Sequence, residues 1–76
     1  MEKILEILKG IRDDVDFEKE ENLIDDNIID SFDVVGIVSD LQDAFGIMIT
    51  IDEMEPENFN SAKAIYELVE RHLDED

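Results

Sequence analysis

Apolar residues recur at Ile4, Ile7, Leu8, Ile11 and Val15. That i, i+3, i+4, i+7, i+11 spacing puts side chains on one face of a helix. The pattern predicts a first helix from Glu2 to Asp14, with Leu5 widening its apolar stripe. Gly10 falls near its end, and a glycine inside a helix costs about 1 kcal/mol relative to alanine. Fraying or a bend is expected there. A second helix is predicted from Ser31 to Phe45, where Val34, Val38, Leu41 and Phe45 follow i, i+4, i+7, i+11. Gly46 suits its C-terminal cap. A last helix is predicted from Ala62 to His72, with Asn60 or Ser61 as N-cap. Ala62, Ile65, Leu68, Val69 and Leu73 form its buried face.

The segments between these helices have no helical period. Residues 16–29 are mostly acidic or polar, yet Phe17, Leu23, Ile24, Ile28 and Ile29 recur among them. They read as a long loop whose apolar residues dock on the core; loops of this length are uncommon in compact domains and are often functional. "IMITI", residues 47–51, has β-branched, strand-like content. It is short and lacks a pairing partner, so it reads as an extended buried linker, with Met48 filling the core. "DEMEPEN" holds one short helical turn, and Pro56 is tolerated only near the start of such a turn. The expectation is an all-α fold: a small four-helix bundle of three main helices plus one short helix. A single domain spans residues 1–76.

Composition narrows the function classes. A domain of this size buries only about 60% of the surface its unfolded chain exposes, and with no cysteine it has no disulfide to staple it. No apolar run is long enough to span a membrane. "MEKILEILKG" is too charged to read as a signal peptide, which makes a cytoplasmic protein the expectation. Six basic residues stand against 23 acidic ones, a net charge of −17. Such a chain repels nucleic acid and anionic membranes; its natural partner is a basic protein surface. Disorder is disfavoured, because 43% of residues are hydrophobic and they are periodic.

The chemistry concentrates in "NIIDSFDVVG", residues 27–36. Asp30 suits the N-cap of the second helix, and Asp33 suits its dipole. Ser31 then occupies the first helical position, where an attached anion is favoured by the helix end and its free N–H groups. A plain helix cap explains the same residues. The face of this helix not used for the core carries Phe32, Val35 and Ser39, rimmed by Asp33, Asp40 and Asp43. This small apolar patch with an acidic rim suits a partner with an apolar dimple ringed by Lys or Arg; the alternative is that Phe32 folds inward and Val35 is an isolated surface residue.

The leading amphipathic helix, the long acidic loop, "DSF" opening a second helix, "FGIMI" after it and "EPENFNSAKAI" before a last helix together resemble an acyl carrier protein. The resemblance covers nearly the whole chain and is strongest in "IDSFDVVGIVSDLQDAFGIMI". It implies that Ser31 carries 4′-phosphopantetheine, transferred from coenzyme A by a phosphopantetheinyl transferase, with Asp30 as part of the motif. It implies that the exposed face of the second helix contacts this transferase, an acyl- or aminoacyl-loading ligase and acyl-transferring enzymes, and that the carrier is a monomer without catalytic activity. The cofactor would supply the thiol that this cysteine-free chain lacks. Two positions depart from the family pattern. Phe32 replaces the more usual Leu, as in some D-alanyl and aminoacyl carriers, so the cargo is open between fatty acyl, aminoacyl, D-alanyl and polyketide groups. Gly36 stands where a larger residue is common, and either softens the helix, makes room for a partner or is neutral.

Other sites fit less well. Read as a calcium loop from Asp25, position six is Asp30 and position twelve is Gly36, where an EF-hand needs Gly and Glu. His72 is the single histidine, with no cysteine or second histidine to complete a metal site; as a cation in the last helical turn it suits the dipole. Tyr66 and Met54 read as packing residues. A carrier is therefore the favoured class, with a non-covalent acidic interaction module and a calcium-responsive helical protein behind it. The charge leads to a prediction. Self-repulsion weakens the compact state and salt screens it. Added NaCl or Mg²⁺ should raise the melting temperature by several degrees; a melting temperature independent of ionic strength would contradict this.

Overall fold

The computed structural model describes residues 2–74. Helix α1 spans Glu2–Ile11, α2 Ser31–Phe45, the short α3 Pro56–Phe59 and α4 Ala62–Asp74, with a 3₁₀ turn at Ile51–Glu53 between α2 and α3. There is no strand among the described residues. The chain is a small all-helical bundle in which α1 packs on α2 and α4, and α3 packs on α4.

Helix α1 is shorter than its apolar period implies. The Arg12 N–H still donates to the Leu8 carbonyl at 3.0 Å, and the chain then turns. Val15 therefore reaches the core from the loop rather than from the helix. Ile4 and Leu8 are the buried anchors of α1. Gly10 lies one residue before the end, with open space where a Cβ would stand, so no packing requires glycine there.

Helix α2 begins at Ser31 and ends at Phe45, with Gly46 at φ 65° donating its N–H to the Gln42 carbonyl. Only glycine adopts that left-handed conformation without strain. Val34, Val38 and Leu41 are buried as the period implies, and Ile37 joins them with no exposed surface. Phe45 is only half-buried, and the Lys3 ammonium sits 5.9 Å from its ring centroid. At Gly36 a Cβ would meet Ile11 Cδ1 at 3.7 Å, an ordinary contact, so the α1–α2 packing would accept a larger residue.

The long loop docks as expected. Phe17, Leu23 and Ile29 are buried to the level of the helical core, each such side chain contributing about 1.5–3 kcal/mol. Leu23 is its backbone anchor. The Leu23 N–H donates to the Asn60 carbonyl at 2.8 Å, and the Leu23 carbonyl accepts from the N–H groups of Ile28 and Ile29. Asn27 at φ 57° lets the chain fold back, a conformation that asparagine tolerates better than most residues. The Asn60 side chain completes the clasp: its Oδ1 accepts from the N–H groups of Ile24 at 2.9 Å and Asp25 at 3.2 Å. Asn60 is thereby spent on the loop, and Ser61 caps α4, its hydroxyl accepting from the Ala64 N–H at 3.0 Å.

Three expectations fail in the second half. The "IMITI" stretch is not a buried linker: Ile49 is buried, but Met48 and Ile51 are exposed. Met48 does not fill the core, because the extended backbone sends neighbouring side chains to opposite sides and Ile49 takes the inward place. Ile51 opens the 3₁₀ turn, a second short element beyond the one expected. Leu73 is exposed although it continues the period of α4, which runs past His72 to Asp74. Pro56 stands at the start of α3, where its missing N–H costs nothing. His72 does more than face a helix end. Its Nε2 lies 2.6 Å from Glu53 Oε2, tying α4 to the 3₁₀ turn. The Thr50 N–H, foremost, holds the Glu53 carboxyl below its ordinary range; burial, the next influence, opposes it, and bonds to His72 and the Thr50 hydroxyl add to the lowering.

The Asn60 clasp is testable. Asn60→Ala leaves a part-buried Ile24 N–H without its acceptor, a loss of about 1–3 kcal/mol. Arg71→Ala removes only an exposed bond to Asn58 and should stay within about 0.5 kcal/mol. Urea unfolding of both variants checks the contrast.

Candidate functional site

The start of α2 is built by a reciprocal cap. The Asp33 N–H donates to Asp30 Oδ1 at 3.0 Å, and the Asp30 N–H donates to Asp33 Oδ2 at 3.3 Å. The cap thus falls on Asp30, in extended conformation just outside the helix. Ser31 follows as the first helical residue and is exposed. The neighbouring Ile29 is buried, which fixes where the loop ends and the helix begins.

One residue of this arrangement has no signal in the sequence. Arg12, just past the end of α1, donates from Nη1 to Asp33 Oδ2 at 3.0 Å. It also donates from Nε to Asp14 Oδ1 at 3.2 Å. The same Asp33 oxygen therefore serves the cap and a cation from a different element. Asp14, bonded first by the Arg12 side chain, is held below the ordinary carboxylate range. Arg12 thus offsets one of the two carboxylates that flank Ser31, and the positive end of α2 offsets part of the other. An anion attached to the serine meets a more neutral setting than the overall charge implies.

Beside Ser31 runs a cleft of about 380 Å³ between the start of α2 and the segment from Met54 to Phe59. Ile29, Val34, Val35, Met54, Pro56 and Phe59 make most of its lining apolar, with Asn27, Asp30 and Glu55 as polar members. No basic residue lines it. Glu55 is held above the ordinary glutamate range, first by its neighbour Glu57 and more weakly by Asp52. Met54, Pro56 and Phe59 come from a segment more than twenty residues beyond Ser31 in the chain, so spacing in the sequence could not reveal this wall.

The residues of the expected partner face separate into two groups. Phe32, Val35, Ser39, Asp40 and Asp43 are exposed along α2. Asp33 is half-buried and turned toward Arg12 and the Asp30 N–H. Its carboxylate belongs to the frame of the helix start more than to an open rim.

Comparison of the chain with family models, curated proteins and solved structures returned no match. The likeness of the "DSF" segment to a carrier motif therefore stands on the residues themselves.

The role of Arg12 is testable against a control that changes charge equally. Arg12→Gln should lower the melting temperature by a few degrees more than Lys19→Gln in low salt. The difference should shrink in 1 M NaCl, where ion pairs are screened. Equal effects of the two variants would show that Arg12 contributes only its net charge.

Proposed function

We propose that this chain is a carrier protein that bears 4′-phosphopantetheine on Ser31 and shuttles a thioester-bound acyl group between enzymes. The observation that carries the reading is the division of labour at the start of α2: Asp30 supplies the cap, and Ser31 stands exposed at the positive helix end. A serine that served only as a cap would be turned to the first-turn N–H groups. Here the adjacent carboxylate takes that place.

The residues present fit such a group. Transfer would join Ser31 Oγ to the phosphate of the phosphopantetheine moiety and break the pyrophosphate bond of coenzyme A, releasing the nucleotide half. The phosphodiester so formed would sit at a helix N-terminus, which favours anions, with the neighbouring Asp33 charge offset by Arg12. The attached arm supplies a terminal thiol that holds an acyl group as a thioester. This chain's own part is to fix the anchor, keep it exposed and provide a recognition surface; the group-carrying chemistry belongs to the cofactor. The cleft lined by Val34, Met54 and Phe59 opens beside the anchor and offers the arm an apolar wall. In this reading the chain is itself a substrate of a phosphopantetheinyl transferase and catalyses nothing. Its cargo is a fatty acyl, aminoacyl, D-alanyl or polyketide group, and the exposed Phe32 is part of what the loading enzyme meets.

Incubation with coenzyme A and a broad-specificity phosphopantetheinyl transferase should add one phosphopantetheinyl mass to the intact protein, and Ser31→Ala should abolish the gain. An unchanged wild-type mass would refute the carrier reading and favour a non-covalent acidic interaction module.

A further inference from the structure

The cleft beside Ser31 has three walls. Ser31 and Val34 come from α2, Ile24 and Ile29 from the long loop, and Met54 and Phe59 from the segment that leads into and forms α3. Helix α3 packs on α4, and the cleft is the space left between it and the start of α2. The loop wall is continuous with α2, since Ile29 and Asp30 lead straight into Ser31. The α3 wall is coupled to the loop through Asn60, the residue after Phe59. The Asn60 carbonyl accepts from the Leu23 N–H at 2.8 Å. Its Oδ1 accepts from the N–H groups of Ile24 at 2.9 Å and Asp25 at 3.2 Å. Its Nδ2 donates to Asp25 Oδ2 at 3.4 Å. Ile24 is itself a lining residue, so one side chain sets how far apart two of the walls stand.

Charge works against that clasp. Asp25 of the loop shares an open recess with Glu55 and Glu57 on the α3 side, and Asn60 is the neutral polar member of the same recess. Glu55 is held above the ordinary glutamate range, first by Glu57, as carboxylates that crowd one another are. Like charges on the two sides push the loop and α3 apart, and the Asn60 bonds oppose them. The other end of the α3 wall is fixed separately. Glu53 is bonded to His72, and Asn58 Nδ2 donates to the Glu53 carbonyl at 2.8 Å. Loss of the clasp therefore leaves the wall tethered at Glu53 and free to move at its Asn60 end.

We propose that Asn60 is a positioning residue, whose clasp sets the width of the cleft and so holds the 4′-phosphopantetheine arm of Ser31 against the protein. The inference rests on the carrier reading and deepens it. The occupant is the arm because its anchor, Ser31, itself lines the cleft, and a tethered group meets a neighbouring surface at high effective concentration. The chemistry also matches. The arm carries amide N–H and hydroxyl donors and a pair of geminal methyl groups; the cleft offers acceptors on Asn27, Asp30 and Glu55 beside an apolar wall. Its volume of about 380 Å³ falls within the roughly 300–1,000 Å³ of small-molecule sites. Width matters because a gap of about 0.5–1 Å forfeits about a quarter to a half of a dispersion contact. A small outward movement of α3 is enough to release the arm.

The test uses the full chain, modified to completion with coenzyme A and a broad-specificity phosphopantetheinyl transferase. Nuclear Overhauser effects are read between the geminal methyl groups of the arm and the Met54 ε and Ile24 δ1 methyl groups. The wild type should show them, and Asn60→Ala should lose them. Ile4→Val trims the core away from the cleft and destabilises the chain, yet should keep them. Asn60→Asp retains the acceptor oxygen and sets a new charge against Asp25; its contacts should weaken in low salt and return in 1 M NaCl, where repulsion is screened. This variant decides the matter if Asn60→Ala does not fold. Contacts retained in Asn60→Ala, contacts in Asn60→Asp that ignore salt, or an equal loss in Ile4→Val would overturn the role of Asn60 and leave the carrier reading standing. So would a modified wild type with no such contacts, or with contacts that appear only as the chain is concentrated, which would place the arm on a second copy. Failure of the wild type to be modified would overturn the carrier reading and the role of Asn60 with it.

Discussion

The docking of the long loop onto the α3–α4 junction is the constraint on which the rest of this small bundle depends. Leu23 gives its N–H to the Asn60 carbonyl, and its own carbonyl gathers the N–H groups of Ile28 and Ile29. The Asn60 side chain holds the next two backbone N–H groups of the loop. These bonds satisfy backbone groups that a buried loop would otherwise leave unpaired, and they let Leu23 and Ile29 enter the core. With Ile29 fixed, Asp30 can turn outward and cap, and α2 has only one place to begin. The exposure of Ser31 is thus tied to a clasp whose Asn60 lies 29 residues further along the chain.

Charge works against this construction and also gives it direction. A chain carrying −17 is drawn apart by its own field. Two of the few cations hold elements together, Arg12 on the frame of α2 and Lys3 over the Phe45 ring, and the His72 ring is bonded to Glu53 of the 3₁₀ turn. What remains is a stretch of the chain, residues 20–62, with twelve carboxylates and no cation of its own, from which Phe32, Val35, Met48 and Ile51 stand out. Such a field opposes the approach of like-charged surfaces and favours the approach of basic ones.

Much of the fold was legible from periodicity. The helical period placed α2 at its observed limits and identified Ile4, Leu8, Val34, Val38, Leu41, Ile65 and Leu68 as core residues. It failed where one pattern has two readings. Met48 and Ile51 look like core residues in an apolar run, but only one side of an extended segment faces inward, and Ile49 occupies it. Leu73 keeps the period of α4 in its last turn, yet is left 45% exposed rather than buried. Asn60 and Ser61 were equivalent caps in the sequence; the loop's demand for an acceptor decided between them.

By itself the sequence determined the all-helical class, the start of α2 at Ser31 and the acidity of the chain, because helical period, capping chemistry and charge are local or additive properties of residues. Only the tertiary structure decided that Arg12 frames Asp33, that Met54, Pro56 and Phe59 wall a cleft beside Ser31, and that Met48 and Ile51 face outward. Each of these joins residues far apart in the chain, or depends on which of two neighbours reaches the core first. Such outcomes are settled by packing, where a buried position admits a single side chain.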